Sequence, residues 1–152
     1  MKLNTLLIAA VACIGALVSA EQTFAEGATK EKKAKGGKFA DLSVAELQAA
    51  VKEGKVTVID ANAGASYKKA HVPGAIHWAA VKSDLASALP KDKDALIVAY
   101  CGGPKCGAWM RPAMAAKKLG YTNIKHMKVG ISGWKEAKAE VESGDKATKK
   151  DA

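Results

Sequence analysis

Apolar positions in this chain fall mostly into short blocks, each closed by glycine, proline or polar residues. Val56-Thr-Val-Ile-Asp60 and Ala95-Leu-Ile-Val-Ala-Tyr100 are too short for buried helices, and both read as buried strands. Ala75-Ile-His77 reads as a shorter strand between them, and Asn123-Ile-Lys-His-Met127 as a later one. The intervening segments carry a longer period. Ser43-Val-Ala-Glu46 has the form of a capping box, with Leu42 before it as a hydrophobic staple. Leu47 and Val51 then share one helical face, and Gly54 ends that helix. One or two helical turns are predicted over Ala65–Ala70. A short helix is predicted over Ala80–Leu89, stopped by Pro90, and another over Met110–Leu119, ended by Gly120. Pro112 fits only in the first turn of that helix, where its missing N–H has no helical partner to lose. Gly130-Ile-Ser-Gly133 reads as a turn into a last helix over Trp134–Val141.

Strands that alternate with helices imply an α/β fold, a parallel sheet with helices on both faces. Ligand sites in such sheets collect beyond the carboxyl ends of the strands. At one such end stands Tyr100-Cys101-Gly102-Gly103-Pro104-Lys105-Cys106-Gly107. The glycines turn the chain sharply and leave little bulk over Cys101. Backbone N–H groups in such a loop can converge on one atom, which favours an anion and eases ionisation of a thiol. Cys101 therefore reads as a reactive thiolate at a strand tip, against the alternative of an inert buried thiol.

The two ends of the chain have a different pattern. Lys2 is followed by an apolar run from Leu6 to Val18 and then by small-residue sites ending at Ala20 and Ala25. This predicts a secretory signal over residues 1–25, cleaved after Ala20 or Ala25. The run is shorter than the roughly 20 residues of a membrane span, so no stable membrane insertion is expected after cleavage. Residues 26–38 are rich in Lys, Glu and Gly and read as a flexible leader. The expected domain occupies 39–141, and a lysine-rich tail expected to fray covers 142–152. Cleavage removes Cys13 and leaves Cys101 and Cys106, too few for a disulfide scaffold and placed together on one loop. A periplasmic or secreted location is oxidising, where neighbouring cysteines tend to pair.

The formal net charge is +9, yet Arg111 is the only arginine and aromatic residues make up 5% of the chain. Nucleic-acid readers rely on arginine forks and stacking rings, so that class is set aside. The lysine excess reads as a solvated surface that steers anions at low salt.

Four pieces of the chain, in this order, resemble the rhodanese-like sulfurtransferase family. They are Val58-Ile-Asp60, Tyr67-Lys-Lys-Ala-His71-Val-Pro-Gly-Ala75, the loop Cys101–Cys106, and Leu119-Gly-Tyr together with Gly130-Ile-Ser-Gly-Trp134. The resemblance covers about Phe39 to Val141. It implies a single domain around a central parallel sheet and no cofactor. It also implies a cysteine that takes sulfane sulfur from a small donor anion as a persulfide and passes it to a thiol or other thiophilic acceptor. By position Cys101 is that carrier, with the backbone of Gly102, Gly103 and Gly107 holding the persulfide and Lys105 orienting the donor.

The family commonly has arginine where Cys106 stands, and another at Asn62, so thiosulfate use and one structural ion pair are open. Cys106 is either a small replacement or a resolving thiol that attacks the persulfide, releases sulfide and leaves a disulfide. Asp60 and Arg111 are expected to support the site, and His71 to hold its turn by hydrogen bonds. Trp134 is expected in the core; Trp109 is a core residue or a pocket wall. A zinc site of the two cysteines with histidines lacks the usual ligand spacing. Three functions are compatible with these residues: an exported sulfurtransferase, a thiol–disulfide or chalcogen-oxyanion reductase cycling Cys101 and Cys106 with a periplasmic redox partner, and a non-catalytic module that binds an anion or a partner.

Overall fold

The computed structural model describes residues 39–144. The expected signal segment and leader, and the tail beyond residue 144, lie outside the described residues. The described chain forms five strands and six helices. The strands are β1 (Ala40–Asp41), β2 (Val56–Asp60), β3 (Ile76–His77), β4 (Leu96–Tyr100) and β5 (Ile124–His126). They pair in the order β1-β5-β4-β2-β3, and every pairing is parallel. The helices are α1 (Val44–Lys52), α2 (Gly64–Lys69), α3 (Trp78–Val81), α4 (Leu85–Ala88), α5 (Met110–Lys118) and α6 (Gly130–Glu136).

Successive side chains of a strand point to opposite faces, and β2 and β4 use both. Val58, Val98 and Tyr100 join Leu47 of α1, Val72, Met127 and Trp134 of α6 in one apolar cluster. Ile59, Ile97 and Ala99 join Leu85 of α4, Leu89, Ala113 and Ala116 of α5, and Tyr121 in the other. The expected parallel sheet with helices on both faces is therefore present. Val58 pairs with Val98 and Asp60 with Tyr100, so the two central strands end level with one another. Each buried aliphatic side chain contributes about 1.5–3 kcal/mol, which makes this pair of strands a firm base for the loop beyond Tyr100.

The capping box forms: Ser43 accepts from the Glu46 N–H, and the Glu46 carboxylate accepts from the Ser43 N–H at 2.8 Å. The Ser43 hydroxyl, which also donates to the Glu46 carboxylate, and then the Ser43 N–H hold the Glu46 pKa below its ordinary value. Pro112 lies in the first turn of α5 as expected.

Three assignments change. The single helix expected over Ala80–Leu89 is two, α3 and α4, because Asp84 has non-helical backbone angles between them. That break lets Leu85 and Leu89 enter the second cluster. The last helix begins at Gly130 rather than Trp134 and ends at Glu136 rather than Val141, with Lys138 at φ 54° beyond its end. The expected fraying from Glu142 does not describe residues 142–144. The Glu142 backbone exchanges two hydrogen bonds with His71, at 2.8 and 2.9 Å, and the Gly144 N–H donates to the Lys68 carbonyl at 2.8 Å.

Candidate functional site

Cys101 is the first residue beyond β4, and only 1% of its surface is exposed. It is joined by a disulfide to Cys106, with the Cα atoms 6.3 Å apart, a usual separation for a bridge. A tight turn makes this possible: the Cys106 N–H donates to the Gly103 carbonyl at 3.0 Å. The Cys106 carbonyl oxygen lies 3.3 Å from the Cys101 sulfur. The pairing of the two cysteines, which their spacing leaves open, is thus present, and Cys101 is not a free thiol in this state. Cys101 is oxidised and covered, because five residues fold back on themselves and bring the second cysteine over the first.

The loop rests on the start of α6. The Ile131 N–H donates to the Cys101 carbonyl at 2.9 Å. The Gly102 carbonyl accepts from both the Ser132 N–H, at 3.1 Å, and the Ser132 hydroxyl, at 2.8 Å. These bonds turn two loop carbonyls toward the helix. By contrast, the N–H groups of Gly102, Gly103, Lys105, Gly107 and Ala108 donate to no described residue. The loop therefore keeps five main-chain donors uncommitted, the resource an anionic sulfur needs. Gly102, Gly103, Pro104, Lys105, Cys106 and Ser132 line an open cavity of about 470 Å³.

Asp60 closes β2 and is fully buried. Its carboxylate accepts from the Tyr100 hydroxyl at 2.6 Å and from the Asn62 N–H at 2.6 Å. The Tyr100 oxygen in turn accepts from the Val72 N–H at 3.0 Å. Burial raises the Asp60 pKa, and the hydrogen bonds from Tyr100 and Asn62 oppose that shift. Burial also pushes the Tyr100 phenol up, helped by the Asp60 charge. This network ties the ends of β2 and β4 to the His71–Ala75 turn. Asp60 thus holds the strand end one residue behind Cys101.

The other expected site residues divide. Lys105 is exposed and lines the cavity. Gly107 is exposed in the loop but outside the cavity lining. Arg111 is not brought in: it is exposed on the first turn of α5, and its guanidinium makes no hydrogen bond or ion pair with a described residue. His71 has the expected structural role. Its Nδ1 donates to the Tyr67 carbonyl at 2.8 Å, and its ring stacks on Tyr67 at 3.9 Å between centroids. Trp134 is core, 1% exposed, with its Nε1–H donating to the Glu140 carbonyl.

Trp109 does not line the cavity; it stacks on His126 at 3.6 Å and meets Phe39 edge-on. His77 and His126, for which the sequence offers no partner, both have one. His77 Nε2 donates to the Asn62 carbonyl at 3.0 Å, and His126 Nδ1 lies 3.3 Å from the Asp41 carboxylate. A zinc site of cysteines and histidines gains no support, since no group of three potential ligands gathers among the described residues.

Two residues of the site escape sequence reasoning. Ser132 and Gly130 sit in a stretch that reads as a turn, and nothing local says which loop it supports. The available signal is Gly130-Ile-Ser132 itself, a glycine and a hydroxyl where a helix begins.

The rhodanese-like domain model matches residues 43–137. The search of curated proteins found no match. Among solved structures, a Bacillus halodurans protein is 26% identical with a TM-score of 0.55, and the match covers 68% of this chain and 77% of that one. The thiosulfate sulfurtransferase of Pseudomonas aeruginosa is 20% identical with a TM-score of 0.60, over 70% of this chain and 20% of that one. A 3-mercaptopyruvate sulfotransferase of Escherichia coli is 17% identical with a TM-score of 0.58, over 70% of this chain and 51% of that one. The latter two are likenesses of fold, and this chain spans only a fifth and a half of their lengths. The family model covers well over half of the chain, and the chain belongs to the rhodanese-like domain family.

Proposed function

We propose that this protein is an exported sulfurtransferase that carries sulfane sulfur as a persulfide on Cys101 and passes it to a thiol or other thiophilic acceptor. The observation that carries this reading is the placement of Cys101. It stands at the carboxyl end of a central strand, at the start of a loop with five uncommitted N–H donors. A persulfide is anionic at neutral pH, and such donors stabilise it without reorganising. The apolar run from Leu6 to Val18 and the small residues after it support export. A disulfide between the two remaining cysteines fits an oxidising compartment. Lys105 supplies the cation for a donor anion, and the acceptor is a small thiol or a periplasmic redox protein.

The disulfide favours a second reading, a reductase that cycles the Cys101–Cys106 pair between dithiol and disulfide. The two are separated by mass. Reduced full chain is incubated with thiosulfate or polysulfide, and the cysteine peptides are weighed. Gain of one sulfur on Cys101, absent in Cys101→Ser, is the expected result. Loss of two hydrogens in the wild type, with no sulfur gained on Cys101 in Cys106→Ser, where no second cysteine can resolve a persulfide, supports the reductase. No change with any donor overturns both and leaves a binding module.

A further inference from the structure

We propose that the disulfide is opened from one side only: a small anionic sulfur nucleophile, a thiolate in the cell, attacks Cys106, and Cys101 departs as the leaving thiolate. This polarity stands on the geometry of the loop. Its meaning as a gate on sulfur transfer rests on the proposed sulfurtransferase function.

The two sulfurs of the bridge are not equivalent. Cys101 is 1% exposed and is absent from the cavity wall. Cys106 is half-buried and forms part of that wall. Thiol–disulfide exchange requires the attacking sulfur to approach along the bridge axis, so access decides which sulfur is struck. From the cavity the nucleophile meets Cys106 first. Lys105, exposed on the same wall, holds a positive charge one residue from it, which draws an anionic nucleophile in.

The leaving group points the same way. Exchange is faster when the departing thiol is the more acidic of the two. Gly102 and Gly103, which follow Cys101 directly in the chain, have N–H groups that donate to no described residue and are available to a thiolate at Cys101. The chemistry balances in two steps. A thiolate forms a bond to the Cys106 sulfur as the Cys106–Cys101 bond breaks, and the electron pair leaves on Cys101. A second thiolate then attacks the outer sulfur of that adduct, releasing Cys106 as thiolate and an external disulfide. Two thiols are oxidised, and the protein disulfide is reduced. Once its bond to Cys106 is broken, Cys101 is free to accept sulfur from a donor.

Sulfite tests this directly, because it splits a disulfide into one stable S-sulfonate and one thiolate. The oxidised full chain is treated with sulfite, the released thiolate is trapped with N-ethylmaleimide, and the cysteine peptides are mapped. The expected product carries the sulfonate on Cys106 and the maleimide on Cys101, favoured by about ten-fold or more over its mirror image. A sulfonate on Cys101, an even mixture or an inert bridge each overturns the polarity. A second arm offers thiosulfate, a far weaker nucleophile toward a disulfide than a thiolate, to the oxidised protein, to protein prereduced with 2-mercaptoethanol, and to Cys106→Ser. Sulfur uptake by the last two alone supports the gate, and uptake by the oxidised protein overturns it. If Cys106 takes the sulfonate but no form takes up sulfur, the polarity stands, and the sulfurtransferase reading and its gate fall.

Discussion

Gly130 lies directly beneath Cys101, with the Cys101 carbonyl where a side chain at 130 would have to go. A Cβ added to Gly130 would also come within 2.6 Å of the Gly103 nitrogen and 2.7 Å of the Gly102 carbonyl carbon. All three contacts are main chain, which cannot swing aside. The backbone at Gly130 has φ +61°, a conformation that costs any other residue energy as well. The active loop and the start of α6 are therefore a single fitted unit.

Gly130→Ala is expected to destabilise the protein by about 2–4 kcal/mol, the sum of left-handed strain and contact with main chain. It is also expected to lift the loop and abolish sulfur loading at Cys101. Gly74→Ala separates the two costs. Gly74 has φ +70° but nothing within 4 Å of its added Cβ, so only the backbone cost of about 1 kcal/mol applies. Thermal unfolding and persulfide mass measurements on both variants check the contrast. Equal losses in the two would refute the fit between Gly130 and the loop.

Tyr100→Phe removes one oxygen that serves two partners. It leaves the Val72 N–H and one Asp60 oxygen unpaired in a buried place. Each unpaired group costs about 1–3 kcal/mol, so a loss of about 2–4 kcal/mol is expected. The loss depends on pH in a definite direction. The folded pKa of Asp60 is raised by burial above 3.8, so stability from this group is present below 3.8 and is lost as pH rises through the folded value. Removing the Tyr100 hydroxyl raises that pKa further. The gap between wild type and Tyr100→Phe therefore widens between acid and neutral pH. Urea unfolding at several pH values measures it, and a gap that narrows toward neutrality would contradict this account.

The parts of the fold that were legible in the sequence are those whose residues face neighbours on both sides. The Val56–Asp60 strand matches β2 residue for residue, and Ala95–Tyr100 overshoots β4 by one. Buried on both faces, they carry a continuous apolar signal. Ala40–Asp41 carries none, since it is a strand only through its pairing with β5. Gly130 and Gly133 misled for a physical reason. Glycine signals a turn, but here Gly130 provides close approach to the loop, and a Cβ on Gly133 would run into the Val129 side chain. The helix starts early because carbonyls from Cys101 and Gly102 supply partners for its first N–H groups, and no local sequence reports a partner 30 residues away. The placement of Cys101 and Cys106 together on a glycine loop at a strand end was legible, whereas the bridge between them was left open. Spacing permits a bridge without fixing the turn at Gly103–Cys106 that forms it.

His126 is expected to set a pH limit on stability. Burial beneath Trp109 lowers its pKa from 6.5, against the opposing pull of the Asp41 carboxylate. A histidine held neutral in the folded state binds protons more weakly there than in the unfolded chain. Its contribution is complete above pH 6.5 and is lost as pH falls from 6.5 through the folded value. His126→Gln removes this titration. Wild-type stability should therefore decline below pH 6.5 relative to its own value at pH 7.5, and the variant should show a shallower decline over the same range. Parallel curves in denaturant titrations would show that His126 does not titrate in this way.

On the proposed function, Lys105 is expected to govern how the site treats an anionic donor. It is exposed, it lines the cavity, and Arg111 stays outside the lining. A lysine attracts a thiosulfate-like anion as a point charge, without the paired geometry of a guanidinium. Lys105→Ala is expected to raise KM for thiosulfate by about 3–10-fold, equivalent to about 0.6–1.4 kcal/mol, with kcat nearly unchanged. The effect should shrink with added salt, because an exposed charge is screened beyond about 10 Å at 0.1 M. Lys105→Arg should lower KM below the wild-type value if a fork is what the loop lacks. Steady-state kinetics on prereduced protein at two ionic strengths tests all three statements. A Lys105→Ala variant whose loss appears in kcat, or persists undiminished at high salt, would mean that the lysine orders the loop rather than attracting the donor.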